Sequence, residues 1–322
     1  MSPQTPSGRI DSPKIPVVCV VGPTGSGKSH LAMALARQLN GEIVNCDSLQ
    51  VYRGFDIGTA KPDAKDLAEI PHHLIDIADP SEEFTAGDFA RRAGELIPTI
   101  TDRKKLPVVA GGTGFYLKAL VDGLVEGPPR DETVRERLAA LEKRRAGSLH
   151  RVLRVWDPVG AERIHAADVQ KLIRALEVML LERQPLSKIY TKVRIPSTSL
   201  RVYQVGIDPP RQALYARLDR RSQSMLDRGL IEETRALLES GVPESAKPFG
   251  AIGYKQALSV LRRELSPELA LEEMQRDTRR YAKRQWTWFR RDKRVNWVNG
   301  FGDESSTHRK VVELLHKTLF WY

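Results

Sequence analysis

The segment Gly22-Pro23-Thr24-Gly25-Ser26-Gly27-Lys28-Ser29 constrains the fold more than any other stretch of the chain. It has the spacing G-x-x-x-x-G-K-[ST], in which glycines let backbone N–H groups curl around phosphate oxygens. Its flanks fit that use. Val17 to Val21 is a continuous apolar run rich in valine, as expected of a fully buried strand. Beyond the loop, Leu31, Leu35 and Leu39 recur four apart with Ala32 and Ala36 beside them, predicting a helix over 29–40. A helix N-terminus at the loop adds unpaired donors and a dipole that favours an anion. Lys28 brings a positive charge, and the Ser29 hydroxyl is a candidate ligand for Mg2+. All eight residues from Gly22 to Ser29 are therefore candidates for holding a phosphorylated ligand.

A strand, turn and helix at the start predict more of the same. Ile43 to Asp47, Leu106 to Ala110 and Arg201 to Ile207 read as further strands, the last stopped by Asp208-Pro209-Pro210. Strands alternating with helices imply a parallel sheet whose ligands sit at the carboxyl ends of the strands. The expected class is α/β, a P-loop core with a parallel sheet flanked by helices, plus a mainly helical inserted lobe. Composition sets the divisions: a loose Ser/Pro/Gly-rich tail over 1–14, a core over 15–129 and 201–322, and a helical insertion over 130–200. Helices are expected at 211–227, 230–240, roughly 267–291 and 304–320.

The loop alone does not say what is done to the phosphate. P-loop enzymes that cleave nucleotides need a strand ending in an acid that organises magnesium and water. Here Leu106 to Ala110 runs instead into Gly111-Gly112-Thr113-Gly114. Thr113 is a candidate hydroxyl donor to a phosphate, or part of a plain turn. Asp47 is the best replacement acid: a carboxylate there can take a proton from a nucleophile or bind magnesium through water, or else cap the next segment.

The chain of 322 residues carries 51 Lys and Arg against 41 Asp and Glu, a formal charge of +10. Such a surplus favours a large anionic partner if it clusters, and it does. Arg276, Arg279, Arg280, Lys283, Arg284, Arg290, Arg291, Lys293 and Arg294 lie close together, with Tyr281, Trp286, Trp288 and Phe289 among them. On a helix, Arg276, Arg280 and Arg284 share one row, and flanking aromatics can pack a core or stack on bases. Cys19 and Cys46 form neither a disulfide framework nor a metal spacing and are expected as buried thiols. No apolar run reaches 18 residues, which argues against a membrane span. The expected setting is cytoplasmic and monomeric. From these residues alone, a P-loop kinase acting on a small metabolite with ATP and an RNA-binding nucleotide switch both stay open.

Taken together the chain resembles the tRNA dimethylallyltransferases, also called tRNA isopentenyltransferases. The resemblance is carried by GPTGSGKS at 22–29, DSLQVYRGFDIGTAKP at 47–62, HHLID at 72–76, FTAGDFA at 84–90 and GGTGFYLKAL at 111–120. RALEV at 174–178, GYKQ at 253–256 and YAKRQWTWFR at 281–290 complete it, in the family's order. It implies transfer of the five-carbon group of dimethylallyl diphosphate to N6 of adenosine 37 in tRNA. By that resemblance Lys28 and the loop amides hold the diphosphate, Ser29 its Mg2+, and Arg217 is a further diphosphate-binding residue. Asp47 corresponds to the general base, Thr24 lies beside it, and Thr113 serves the diphosphate or the target base. Ser48 and Gln50 contact the flipped adenosine and its neighbours. Arg280, Lys283 and Arg284 line the RNA channel, and the 130–200 lobe grips the anticodon stem. Gly25, Lys171 and Ala167 depart from the family's usual Ala, Arg and Asn. With no Cys/His zinc-finger extension before Tyr322, the short bacterial form is expected.

Overall fold

A computed structural model describes residues 14–125, 127–190 and 200–319. Six strands form one parallel sheet: β1 (Ile15–Val21), β2 (Gly41–Asn45), β3 (His72–His73), β4 (Leu106–Ala110), β5 (Leu200–Asp208) and β6 (Val295–Asn299). Their order is β3-β2-β4-β1-β5-β6. The register pairs Val18 with Val108 and Tyr203, and Val44 with Val109. Because every pairing is parallel, β1, β2, β4 and β5 all end on one edge. Connections reach the two neighbours of β1 from opposite directions, which opens a crevice at that edge.

β1 and β4 are buried on both faces over most of their length, so their sequences run apolar without alternation. Leu31 and Leu35 of the helix Lys28–Gln38 pack with Val18, Val20 and Val108 of the sheet, and Val311 and Leu315 of the helix Ser305–Leu319 join the same cluster. Each fully buried leucine of this kind stabilises the fold by about 2 kcal/mol. The helix Ala86–Asp102 starts at a capping box in which Thr85 and Asp88 exchange hydrogen bonds, and it buries Phe89, Ala93, Ile97 and Ile100. Cys19 and Cys46 are both buried free thiols, and burial pushes Cys19 up to about 12.

Three features differ from the pattern in the sequence. β2 ends at Asn45, so Asp47 lies beyond the strand rather than at its tip. The Cys46 N–H still reaches Ala110 O, but the Cys46 carbonyl takes the Thr113 N–H, and the chain turns away. β3 and β6 carry too little apolar sequence to stand out. β3 is only two residues, and β6 is an edge strand with Asn at its second and last positions.

The chain divides into two compact units, Met1–Val121 with Ser197–Tyr322, and Asp122–Pro196. The second begins earlier than position 130, because Arg174 donates to the Pro128 carbonyl at 2.9 Å and Val125 packs on the unit's core. That core gathers Leu138, Leu149, Leu153, Leu172 and Leu176 from the helices Glu132–Arg144, Ser148–Trp156 and Val169–Glu182. Among the described residues, no helix is long and apolar enough to cross a membrane.

Candidate active site

The loops after β1, β2 and β4 and the helix Arg211–Asp227 line a cavity of about 1180 Å³. Thr24, Gly25, Gly27, Lys28, Ser29, Asp47, Gln50 and Arg217 all reach its wall. Gly27 begins the first helix with φ +87°, and a Cβ there would lie 2.8 Å from the Gly302 nitrogen, so only glycine fits. Gly22, Pro23 and Ser26 are buried and form the frame behind the cavity wall.

The Lys28 ammonium donates to the Pro23 carbonyl at 2.7 Å. Its pKa is pushed down to about 7, chiefly by burial and then by the charge of Arg221, with Asp47 opposing. Arg221 is likewise pulled below the ordinary guanidinium value by burial, and Asp47 again opposes. Asp47 is therefore the anion that faces both cations. Its Oδ1 accepts from the backbone N–H groups of Leu49, at 2.9 Å, and Gln50, at 3.4 Å. The carboxylate thus both caps the next segment and lines the cavity. Gln50 donates to the carbonyls of Thr59 and Ala60, each at 3.1 Å, which fixes its side chain in the loop.

Three residues, Thr113, Ser48 and Arg217, are engaged within the protein. The Thr113 hydroxyl accepts from the Ser48 N–H at 3.0 Å and lies 3.4 Å from the Ser48 hydroxyl. Neither residue is on the cavity wall, so the structure makes this pair a tie between the loops after β2 and β4. Arg217 lines the cavity, but its guanidinium makes a double contact with Asp303, at 2.8 and 3.1 Å, over the Phe301 ring. An anion in the cavity would have to compete with Asp303 for it.

Arg276, Arg279, Arg280, Lys283 and Arg284 of the basic stretch lie on the helix Pro267–Phe289, and Arg290, Arg291, Lys293 and Arg294 follow its end. Arg280, Lys283 and Arg284 are exposed outside the cavity, with Arg284 over the Tyr281 ring. Trp286 is buried and donates to Asp208 at 2.8 Å, so it is a core residue, while Trp288 stays 42% exposed. Tyr281 and Gln285 of the same helix line the cavity, as do Arg220, Arg221 and Arg228. Sequence reasoning missed these. The spacing of Arg221 four residues after Arg217 was a usable signal, since both fall on one helix face.

Among the described residues no group of three or more His, Cys, Asp or Glu could hold a metal ion. Mg2+ bound with a phosphorylated ligand needs only one or two protein oxygens. The Ser29 hydroxyl and the Asp47 carboxylate share the cavity and meet that need.

The sequence model of IPP transferase matches residues 50–292. The chain belongs to the IPP transferase family. A tRNA dimethylallyltransferase of Solibacter usitatus is 52% identical over 305 residues, covering 95% of this chain and 99% of that protein. One of Koribacter versatilis is 47% identical over 92% of this chain and 96% of its own length. Among solved structures, the tRNA isopentenylpyrophosphate transferase of Bacillus halodurans superposes with a TM-score of 0.69 at 37% identity, covering 94% of this chain and 98% of that one. A eukaryotic dimethylallyltransferase acting on tRNA reaches a TM-score of 0.79 at 27% identity, over 95% of this chain and 79% of that chain. The fold of this IPP transferase is the P-loop NTPase-like one that its structural neighbours share. The family match begins after the phosphate loop, so Gly22 to Ser29 is covered by the near full-length relatives and not by the family model.

Proposed function

We propose that the chain transfers the dimethylallyl group of dimethylallyl diphosphate to N6 of adenosine 37 in tRNA and releases diphosphate. The observation that carries this reading is a single cavity lined by Lys28, Arg217, Arg221 and Asp47, next to a β4 turn that holds no acid. A phosphoryl-transfer enzyme would need that acid. The names of the relatives supply the substrate class.

The adenine N6 lone pair is delocalised into the ring and is a weak nucleophile. In the proposed step N6 bonds to the allylic C1 as the C1–O bond breaks, and the bonding pair leaves with the diphosphate. Positive charge growing at C1 is shared over the double bond. Lys28, Arg217 and the loop amides stabilise the departing anion. The Ser29 hydroxyl would hold Mg2+, which when bound would supply further charge neutralisation for the leaving group. Asp47 takes the amine proton, and its two backbone bonds at Oδ1 hold the carboxylate plane for that task. Thr113 contributes through Ser48, and the Ser48–Gln50 loop flanks the target base. Drawing that base out of its stack costs a few kcal/mol, which phosphate contacts from Arg280, Lys283 and Arg284 offset. The proposed working form is a cytoplasmic monomer whose partner is the tRNA anticodon stem-loop, gripped by the helical lobe.

Incubation of unmodified tRNA with labelled dimethylallyl diphosphate tests the reading, with label expected in the RNA at adenosine 37. Asp47→Asn should lower kcat by about 10²–10⁴ and leave the KM for the diphosphate nearly unchanged. ATP consumption with no label in RNA would sink the reaction. Undiminished transfer by a folded Asp47→Asn protein would sink the base assignment.

A further inference from the structure

We propose that Gln285 is a positioning residue that holds the phosphate loop in its anion-binding shape, and that it does so from the helix whose outer face is basic. The proposal rests on the diphosphate reading above. Gln285 is buried near the C-terminal end of the helix Pro267–Phe289, far along the chain from both segments it touches. Its Oε1 accepts from the Thr24 N–H at 2.7 Å, in the middle of the phosphate loop. Its Nε2 donates to the Gly112 carbonyl at 2.9 Å, in the turn after β4. One primary amide therefore ties together the two glycine-rich turns that border the cavity.

The chemistry of the two partners selects glutamine. Thr24 offers only a donor and Gly112 only an acceptor, so the bridging group must carry both functions on one planar end. Glutamate would set a carboxylate oxygen against the Gly112 carbonyl. Lysine would set an ammonium against the Thr24 N–H. Gly112 is fitted to the same contact, because a Cβ there would overlap the Gln285 amide nitrogen. That Cβ position also lies 3.9 Å from the Lys28 ammonium, so the bridge passes beside the charge that meets the diphosphate. With the Thr24 N–H committed to Gln285, the phosphate loop is pinned at its middle, while the Ser26 N–H closes the turn on the Pro23 carbonyl at 3.3 Å. Tyr281, one turn earlier, lines the same cavity, while Lys283 and Arg284 point outward from adjacent positions.

Gln285 sits inside the basic stretch that sequence reasoning assigns to RNA, and the two roles predict opposite results. Binding of inorganic diphosphate with Mg2+ is measured calorimetrically without tRNA, and tRNA binding by filter retention without diphosphate. Gln285→Ala is expected to raise the diphosphate Kd at least tenfold, and the KM for dimethylallyl diphosphate in parallel. Its kcat at saturation should stay within threefold and its tRNA Kd within twofold of wild type. Gly112→Ala attacks the bridge from its other end and should reproduce this pattern, which keeps the test open if one variant fails to fold. Gln256→Ala is the control. Gln256 is also buried but holds Gly253 and Asp277 away from the cavity, so its loss should lower Tm without moving the diphosphate Kd. A wild-type diphosphate Kd in folded Gln285→Ala protein would overturn the proposal. Weakened tRNA binding with diphosphate binding intact would also overturn it and make Gln285 an RNA contact. Wild-type protein that binds no diphosphate would overturn the underlying reading and the proposal with it.

Discussion

Lys28 is a buried amine that shares its cavity with the cation Arg221 and the carboxylate of Asp47. Burial and the neighbouring Arg221 bring its pKa down to about 7, against a value of about 10.4 for an exposed lysine. Between those values the unfolded chain binds a proton that the folded, unliganded chain lacks. Raising the pH across that window therefore stabilises the unliganded protein. A bound diphosphate reverses the balance, because the anion restores the ammonium and the complex takes up a proton. At pH 8, titration calorimetry of dimethylallyl diphosphate in buffers of different ionisation heat should show more proton uptake in wild type than in Lys28→Arg, which stays charged. At pH 6 the two should agree. Equal uptake at pH 8 would mean that Lys28 is already charged in the free protein. The motif made Lys28 legible in the sequence, but not its environment. The Asp303 partner of Arg217 is brought in by tertiary packing, which local spacing does not record.

The helix Pro267–Phe289 shows what periodicity reveals and what it hides. Its extent was legible because Ser266 caps it and Pro267 opens it, and because basic residues recur at helical spacing. Its inner face was less so: Gln285 is one of several uncharged residues in a basic run, and its partners are distant in sequence. β2 was read as ending at Asp47 because nothing in Ile43 to Asp47 marks the turn, which is set by Thr113 and the Asp47 cap. The outer face carries a prediction of its own. Arg280 makes only a distant pair with Asp277, at 3.8 Å, and Arg284 lies over Tyr281, so both guanidinium groups face solvent and are available to phosphate. The double variant Arg280→Glu/Arg284→Glu should raise the tRNA KM at least tenfold while leaving the KM for dimethylallyl diphosphate within twofold. The slope of log K for tRNA against log salt should flatten by about one to two. An unchanged salt slope would place the RNA elsewhere on the protein.

At the scale of the whole molecule, the two units have cores of their own. The sheet cluster and the cluster of the Asp122–Pro196 unit share no residues. The helical character of the second unit was legible from its leucine spacing, whereas its buried carboxylates, Asp157 and Glu177, were not. Glu177 is fully buried, and burial by itself would raise its pKa. Hydrogen bonds from Arg174 at 2.8 Å, the Asp131 N–H at 2.8 Å and Arg135 at 3.1 Å outweigh that and hold it below the usual carboxylate value. Its contribution is therefore present above the unfolded carboxylate pKa and is lost as pH falls through the lower folded value. Glu177→Ala leaves Arg135 largely buried with only the longer pair to the exposed Glu132, at 3.9 Å, a loss of about 3–5 kcal/mol. Because the cores are separate, that loss should stay local. Amide exchange at pH 7 should speed up across the helices Glu132–Arg144 and Val169–Glu182, while β1 and β4 keep their protection. Equal loosening of both units would show that the chain folds as one cooperative body, and that Glu177 supports the sheet as much as the lobe.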